Sequence, residues 1–271
     1  MGLVNNDSTV IDLSATGIAS LSSLLASEDL VSALPTMTES YPPRLKLSDI
    51  TLLPPVDHQE IWAAGVTYLR SKKARMEESD FSASAYDRVY DAPRPEIFFK
   101  SMPGKVIGTG DAVGIRKDAR WNVPEPELAL VLNPGGKVVG YSICNDMSSR
   151  DIEGENLLYL PQAKIYDRSC AIGPWIRVAA TEEEARAWSI SIQILDQGKV
   201  VFSGETSVGQ IKRSFEELAG YLFRSQTFPR GAILSTGTGI VPGDDFTLAI
   251  GQVIRINISG VGTLENTVRL V

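Results

Sequence analysis

Three acidic residues are spaced so that they could share one metal ion. Glu125 and Glu127 come just before or at the start of the apolar run 128–132, and Asp146 follows the apolar-rich segment 137–144. Between the two runs lies Asn-Pro-Gly-Gly, a combination that is typical of tight turns. The spacing therefore predicts an antiparallel β-hairpin that carries all three carboxylates.

The predicted hairpin places the three carboxylates on one face of the sheet. Directly paired residues share a face, and side chains alternate between faces along each strand. If Leu132 pairs with Lys137, Asp146 lies diagonal to Glu125 on that face. Glu127 then lies further away, and strand twist or a bulge is needed to bring it to the other two carboxylates.

The chemistry of these ligands is that of a hard divalent cation. Carboxylate oxygens favour Mg²⁺, Mn²⁺ or Ca²⁺ over zinc. Carboxylates among apolar residues also need a positively charged partner, because burying an unpaired charge is costly. The alternative is a solvated acidic face that binds no metal, and the pattern alone leaves both open.

The scarcity of histidine and cysteine excludes several other kinds of site. His58, in a polar connector, is the single histidine, so a serine–histidine–aspartate triad would depend on that residue alone. Cys144 and Cys170 have no zinc-type spacing, and we expect buried free thiols rather than a catalytic pair. Acid–base chemistry is therefore expected from Glu, Asp, Lys or Tyr side chains.

Several segments resemble the fumarylacetoacetate hydrolase superfamily. They are Glu-Pro-Glu-Leu-Ala at 125–129, Asn-Asp-Met-Ser-Ser-Arg-Asp at 145–151, Lys164, Ala-Ile-Gly-Pro-Trp at 171–175, and the closing segments 235–238 and 260–268. The resemblance covers about residues 57–271, and its motifs are specific in combination.

The resemblance implies an architecture, an assembly and an active site. The architecture is α+β, a mixed β-roll of the fumarylacetoacetate hydrolase C-terminal type with few helices, and the assembly is a homodimer or homotetramer. The implied cofactor is Mg²⁺, for which Mn²⁺ or Ca²⁺ could substitute. Its implied ligands are Glu125, Glu127 and Asp146, with Lys164 as the catalytic lysine.

One departure from the superfamily pattern narrows the expected reaction. Its hydrolases typically carry Gly-x-Asn-Tyr-x-x-His-x-x-Glu, whose His–Glu dyad activates water. In the aligned stretch 65–74, Ser71 stands at the histidine position and Ala74 at the glutamate position. Segments 86–100 and 155–166 instead resemble dehydratases of 2-keto-3-deoxy sugar acids. The implied reaction is dehydration of a 2-keto-3-deoxypentonate to 2-oxoglutarate semialdehyde in pentose catabolism.

Dehydration of such a 2-keto acid requires a base for the C3 proton and an acid for the C4 hydroxyl. We assign proton abstraction to Lys164, because a nearby cation disfavours its charged form, and leaving-group protonation to Glu96. The apolar run that contains Glu96 could raise its pKa, but the sequence does not fix which group is base and which is acid. Thr238, Phe99 and Ser71 are the candidate substrate contacts.

Two other classes of function stay open on the sequence. One is hydrolysis of a C–C bond in acylpyruvates or diketo-deoxy sugar acids by a different water activator. The other is a non-catalytic binding protein that keeps the fold. The missing dyad argues against the first, and the intact acidic and lysine positions argue against the second.

The elements that must position these residues divide the chain in two. Residues 1–56 contain a short apolar pattern at Leu21, Leu24 and Leu25 and then a Ser/Pro-rich stretch, and they predict a small N-terminal domain. Residues 57–271 predict the catalytic domain.

Hydrophobic periodicity predicts strands and a few helices in the main body. Isoleucines alternate with polar residues at 190–194 and 254–258, as in half-buried strands. The apolar positions in 211–222 follow the spacing of one helix face, and a further helix is predicted over 82–90. This mixture without a regular strand–helix alternation favours the α+β class.

The composition argues against nucleic acid and membrane partners. The 271 residues include 26 Lys and Arg against 33 Asp and Glu, a net charge of −7, whereas duplex binding needs a basic surface. No run approaches the roughly 20 apolar residues that a membrane-spanning helix needs. With its two free thiols, the chain is expected to be a cytoplasmic enzyme that acts on a small molecule.

Overall fold

The protein is described by a computed structural model over residues 1–5, 9–18, 20–27, 45–69 and 88–271. The strands are β1 Gly2–Asn5, β2 Thr9–Asp12, β3 Leu45–Lys46, β4 Glu60–Gly65, β5 Glu96–Ser101, β6 Ala112–Ile115, β7 Asn122–Val123, β8 Pro126–Leu132, β9 Val138–Asp146, β10 Ser148–Ser149, β11 Cys170–Val178, β12 Ser189–Asp196, β13 Lys199–Ser207, β14 Ala232–Thr238, β15 Val253–Ile258 and β16 Gly262–Leu270. The helices are α1 Leu21–Leu25, α2 Arg150–Glu155, α3 Leu160–Lys164, α4 Glu182–Arg186 and α5 Phe215–Phe223.

Two large mixed sheets form the body of the protein. One has the strand order β11-β9-β8-β14-β4-β5 and the other β13-β12-β15-β16-β6. Neighbouring strands are antiparallel except for the parallel pairs β14–β4 and β16–β6. The short strands β10 and β7 pair with each other. These mixed sheets with few helices confirm the predicted α+β class and roll-like architecture.

The isoleucine-rich strands are antiparallel neighbours in the five-stranded sheet, and their isoleucines share its buried face, as the alternation predicts. Ile190, Ile192 and Ile194 of β12 pair with Ile258, Ile256 and Ile254 of β15. All six side chains are buried in the main hydrophobic core, which also holds Leu128 and Leu130 of β8. The main core therefore joins the inner faces of the two sheets.

Strand β8 is buried on both of its faces. Leu128 and Leu130 belong to the main core, whereas Ala129 packs in a smaller cluster with Cys144 and Cys170. Because side chains alternate along a strand, Glu127 shares the face of Ala129. The smaller-cluster face of the six-stranded sheet therefore carries the acidic residues.

The predicted amphipathic helix over 211–222 is shorter than expected. Helix α5 begins at Phe215, because the side chain of Ser214 caps it by accepting a hydrogen bond from the Glu217 N–H at 3.0 Å. Ile211 is buried but lies before the helix. The helix predicted over 82–90 lies mostly outside the described residues, and its described part, 88–90, is helical.

The hairpin between β8 and β9 forms in a different register from the predicted one. Leu132 pairs with Val138 rather than with Lys137, and a bulge then shifts the pairing once more. The cause is the turn, where the Asn133 side-chain oxygen accepts hydrogen bonds from the N–H groups of Gly135 and Lys137. The two single-residue shifts sum to two, so every side chain keeps its predicted face.

The N-terminal strands form a sheet of their own in the order β1-β2-β3. Helix α1 lies between β2 and β3 in the chain and contacts the main body, where Asp57 accepts hydrogen bonds from the backbone N–H and hydroxyl of Ser22 at 3.1 and 2.7 Å. The predicted domain boundary after residue 56 stays a prediction. Among the described residues, no helix has the length and apolar character that crossing a membrane would require.

Candidate active site

The three predicted acidic residues meet at the junction of β8 and β9. Glu127 pairs with Cys144, and the Asp146 N–H donates to the Glu125 carbonyl at 3.0 Å, so Glu125 lies beside Asp146. One carboxylate oxygen from each of the three residues lies within 4.8 Å of the others, and all three residues are buried. The observed register brings Glu127 to the group directly, which corrects the expectation that it lies further off.

Backbone and hydroxyl groups of β14 fix the carboxylate of Glu127. Its Oε2 accepts hydrogen bonds from the Ser235 hydroxyl at 2.5 Å and from the Gly237 N–H at 2.8 Å. Burial, with a further contribution from the nearby Asp146 carboxylate, raises the pKa of Glu127 well above its usual value. Crowded, desolvated carboxylates of this kind are stabilised by a cation.

Positively charged side chains surround the other two carboxylates. Lys164, at the end of α3, places its Nζ 2.6 Å from Glu125 Oε2, 3.0 Å from Asp146 Oδ2 and 2.5 Å from the Ser148 hydroxyl. Arg150 Nη2 lies 3.0 Å from Glu125 Oε1. Lys164 and Arg150 are both buried. The predicted catalytic lysine thus lies directly against the acidic triad, which we define as Glu125, Glu127 and Asp146.

The acidic triad fits a hard divalent cation. It offers three buried carboxylates with ligand oxygens close enough to meet at one ion, and such oxygen donors are those that Mg²⁺ selects. Hydrogen bonds from Ser235 and Gly237 and the ion pair with Arg150 orient these ligands, as outer contacts commonly do at metal sites.

A cleft of about 290 Å³, including its open mouth, lies over the triad. Besides the triad and Lys164, its lining residues are Ala64, Gly65, Val66, Glu96, Phe98, Glu153, Leu160, Gly237 and Thr238. Strands β4, β5, β8, β9 and β14 and helices α2 and α3 therefore contribute to its wall or rim. Acidic, basic and apolar groups share this cleft, which is the arrangement that acid–base chemistry on a small molecule requires.

The sequence of the main body matches the model of a known protein family. The family described as fumarylacetoacetate (FAA) hydrolase C-terminal matches residues 60–269. The chain belongs to this family.

Two curated relatives and one solved structure in this family have high similarity. A Haloferax volcanii protein named "Probable 2-keto-3-deoxyxylonate dehydratase" is 48% identical over 217 residues, 80% of this chain and 74% of the relative. The 2-dehydro-3-deoxy-D-arabinonate dehydratase of Saccharolobus solfataricus is 41% identical over 227 residues, 83% of this chain and 76% of the relative. A solved 2-keto-3-deoxy-D-arabinonate dehydratase, complexed with magnesium and 2,5-dioxopentanoate, has a TM-score of 0.82, 34% identity and coverage of 100% of this chain and 94% of the other.

Glu96 and Thr238, two further residues predicted to act in the site, line the cleft. Glu96 lies opposite Gly65 in the β4–β5 pair. The close approach depends on glycine, because a Cβ at position 65 would lie 2.0 Å from Glu96 Oε2. Thr238 lines the cleft as well, and its hydroxyl also donates to the Ile240 carbonyl at 3.1 Å. Its predicted role in substrate binding stays a prediction.

Phe99, which is predicted to contact the substrate, is not among the described residues that line the cleft. Phe99 packs edge-on against Trp62, with ring centroids 5.6 Å apart, and it is Phe98 that lines the cleft. The ring of Phe98 lies 5.7 Å from Lys164 Nζ. Alternation along β5 explains the difference, because Glu96 and Phe98 share one face and Phe99 points to the other. Ser71, the third predicted contact, lies outside the described residues.

Several residues of the site were not predicted from the sequence. Ser148, Arg150, Glu153, Ser235 and Lys100 all lie in the cleft or against the triad. Phe98 could have been predicted, because side chains two residues apart in a strand share a face and Glu96 was already placed in the site. Ser235 begins the segment 235–238 that resembles the superfamily, but its contact with Glu127 depends on the pairing of β14 with β8, which are about a hundred residues apart along the chain.

The two cysteines are free and buried, as predicted. A hydrogen bond with Cys170, together with burial, raises the pKa of the Cys144 thiol well above its usual value. The Cys144 thiol is therefore expected to stay protonated, and both cysteines pack as small apolar residues beneath the triad.

Proposed function

We propose that this chain catalyses the Mg²⁺-dependent dehydration of a 2-keto-3-deoxypentonate to 2,5-dioxopentanoate, also called 2-oxoglutarate semialdehyde. The observation that carries the proposal is a single cleft in which three buried carboxylates, Lys164 and Glu96 come together. The two relatives above 40% identity bear the names of dehydratases that act on acids of this class. The solved relative at 34% identity holds magnesium and the proposed product.

The residues that would hold Mg²⁺ are Glu125, Glu127 and Asp146. When bound, Mg²⁺ would polarise the keto oxygen of the substrate and make the protons on C3 more acidic. Arg150 orients Glu125, and the Ser235 hydroxyl orients Glu127, so these carboxylates keep their positions before substrate arrives.

Lys164 and Glu96 carry the proton transfers in this proposal. Lys164 takes a proton from C3, Glu96 gives a proton to the departing C4 hydroxyl, and a C3–C4 double bond forms as water leaves. A proton shift from C5 to C3 then gives the C4–C5 enol, which becomes the aldehyde. Lys164 contacts the triad directly, which favours it for the proton next to the keto group, and the reverse assignment of the two roles is the alternative.

The test of the function is product analysis with a panel of acids. The purified protein is incubated with Mg²⁺ and 2-keto-3-deoxy acids of five and six carbons, and mass spectrometry follows the loss of one water. We expect the five-carbon acid to give 2,5-dioxopentanoate, and the signal should disappear when a chelator removes the metal. Cleavage of an acylpyruvate without dehydration of any keto-deoxy acid would instead support a C–C hydrolase.

The assembly and location of the enzyme are part of the same proposal. We propose a homodimer or homotetramer in the cytoplasm, on the resemblance to the family and on the acidic, thiol-containing composition. Light scattering coupled to size-exclusion chromatography measures the mass of the assembly, and a monomer would contradict this part of the proposal.

A further inference from the structure

Lys100 is a fully buried cation that lies behind the acidic triad. Its Nζ is 2.5 Å from Asp146 Oδ1 and donates hydrogen bonds to the carbonyls of Met147 at 3.0 Å and Lys164 at 2.5 Å. The two carbonyls accept hydrogen bonds and the Asp146 carboxylate forms an ion pair, so the ammonium lies among three oxygen atoms. Burying a cation is costly unless it is paired in this way, so the arrangement specifies a charged side chain at position 100.

The backbone of β5 is irregular at this residue. Ser101 pairs with Ile61 and Phe99 pairs with Trp62, so Lys100 is an extra residue between two adjacent pairs. Lys100 has the same parity along β5 as Glu96 and Phe98, and its ammonium meets Asp146, while Phe99 stays packed on Trp62. The fold thus departs from regular pairing at the residue whose ammonium reaches the triad.

The ammonium of Lys100 joins two parts of the site that are separate in the chain. Asp146 ends β9, and Lys164 ends α3, where the final helical carbonyls have no partner within the helix. Lys100 binds one oxygen of the first and the backbone carbonyl of the second. The other oxygen of Asp146, Oδ2, faces the ammonium of Lys164.

We propose that Lys100 is a positioning residue that assigns the two oxygens of Asp146 to different partners. It holds Oδ1, so that Oδ2 alone serves the metal, and it fixes the end of α3 so that Lys164 stays beside the triad. Lys100 is absent from the residues that line the cleft, which separates this role from a catalytic one. The inference rests on the proposed function, since it concerns the same metal and the same lysine.

The test compares Lys100→Met with Lys105→Met. Lys105 is a matched control, because it is a nearby lysine whose pairing with Asp167, at 3.0 Å, is on the surface. Calorimetry on the metal-free proteins gives the dissociation constant for Mg²⁺, and steady-state kinetics at saturating Mg²⁺ gives kcat and KM. We expect Lys100→Met to weaken Mg²⁺ binding roughly 10–100-fold and to lower kcat more than KM, with Lys105→Met like the parent.

A purely structural role predicts a different pattern. It would lower the melting temperature and the fraction of active protein, while the Mg²⁺ dissociation constant of the folded fraction and the electron paramagnetic resonance spectrum of bound Mn²⁺ stay at parental values. That result would overturn the proposal. Lys100→Gln, which keeps a hydrogen-bond donor but no charge, should show the same change in Mg²⁺ affinity as Lys100→Met if the ammonium is what positions Asp146.

A crystal structure of the parent with Mg²⁺ decides the question even if no variant folds. We expect Lys100 Nζ to remain on Asp146 Oδ1 and Asp146 to bind the metal through one oxygen. Binding through both oxygens, or a Lys100 ammonium displaced from Asp146, would refute the role. Calorimetry, the Mn²⁺ spectrum and the crystal structure need no turnover, so a parent that binds Mg²⁺ but does not dehydrate the keto acid would sink the proposed function and leave this inference standing.

Discussion

Asp146 is the carboxylate on which the two buried lysines converge. Lys100 lies 2.5 Å from one of its oxygens and Lys164 lies 3.0 Å from the other. Replacing Asp146 by asparagine keeps the volume but removes one of the three anionic ligands. We expect Asp146→Asn to weaken Mg²⁺ binding at least about tenfold and to abolish most activity, which calorimetry and turnover assays measure.

The matched control for this substitution is Asp167→Asn. Asp167 is exposed and pairs with Lys105 at the surface, so its amide variant should bind Mg²⁺ as the parent does. If Asp146→Asn also bound Mg²⁺ with parental affinity, Asp146 would have to be removed from the proposed ligands.

Lys164 is expected to separate binding from turnover. Lys164→Met keeps an unbranched apolar stem but has no proton to carry, so the variant should fold and bind Mg²⁺ and the keto acid. We expect turnover to fall about 10²–10⁴-fold, the usual contribution of a positioned acid or base. Deuterium exchange from solvent at C3 of a substrate analogue reports the abstraction step, with exposed Lys137→Met as the control.

The exchange experiment also distinguishes the two assignments of base and acid. If Lys164→Met exchanged the C3 proton at the parental rate, the abstraction would pass to Glu96 or to another group of the cleft. Slow exchange in Lys164→Met together with normal exchange in Glu96→Gln would support the assignment proposed above.

At the scale of single elements, strand parity was predictable and strand register was not. The three carboxylates lie on one face as predicted, because a register change of two residues leaves every side chain on its own side. The register itself depends on hydrogen bonds of the Asn133 side chain within the turn and on the bulge at Leu132, and the sequence pattern has no clear signal for either.

Strand β5 also shows how far the sequence pattern alone can predict the residues of the site. Glu96 was predicted to lie in the site, and alternation from Glu96 would have selected Phe98 rather than Phe99. The same alternation places Lys100 on the cleft face, but its contact with Asp146 depends on how β5 packs in the sheet and could not be read from the local pattern. Local patterns thus predict the face of a residue, whereas contacts between distant strands determine what it meets.

The β4–β5 pair leads to a prediction at Gly65. A Cβ there would lie 2.0 Å from Glu96 Oε2, and that oxygen ends a flexible side chain, so the carboxylate can move aside without disrupting the backbone. We expect Gly65→Ala to change the melting temperature little but to lower kcat about 10²-fold, because the displaced Glu96 no longer reaches the substrate. Steady-state kinetics and thermal unfolding measure the two effects.

Gly220→Ala is the matched control for Gly65→Ala. Gly220 is exposed in helix α5, and a Cβ there would meet no atom within 4 Å. We expect normal activity and a gain of about 0.5–1 kcal/mol in the free energy of unfolding, since alanine is the better helix former. A strongly destabilised Gly65→Ala with unchanged kcat per folded molecule would contradict the proposed clash with Glu96.

At the scale of the whole molecule, the site is assembled from segments far apart in the sequence. Residues of β5, β8, β9, α3 and β14 meet on one face of the six-stranded sheet, opposite the face that packs on the five-stranded sheet. A rigid two-sheet core therefore supports the carboxylates from behind, which suits a site that must keep its geometry while protons move.

The choice of reaction also depends on the sequence at positions 71 and 74, which lie outside the described residues. In the sequence, Ser71 and Ala74 occupy the positions where hydrolases of the superfamily have the histidine and glutamate that activate water. A hydroxyl and a methyl group cannot form a carboxylate-oriented base, which is typically worth about 10²–10⁴-fold in rate. Lys164 and Glu96 remain available for proton transfers that break a C–O bond instead.

We therefore expect dehydration of a 2-keto-3-deoxypentonate to exceed hydrolysis of an acylpyruvate by at least about 10²-fold in kcat/KM. Both substrates could chelate a divalent cation through a keto acid group, so a metal held by the triad would bind either one, and the ratio isolates the acid–base groups from the metal. Side-by-side kinetics on one enzyme preparation at the same Mg²⁺ concentration measures it. Equal or faster cleavage of the acylpyruvate would mean that another residue activates water, and it would replace the dehydratase with the hydrolase as the function of this cleft.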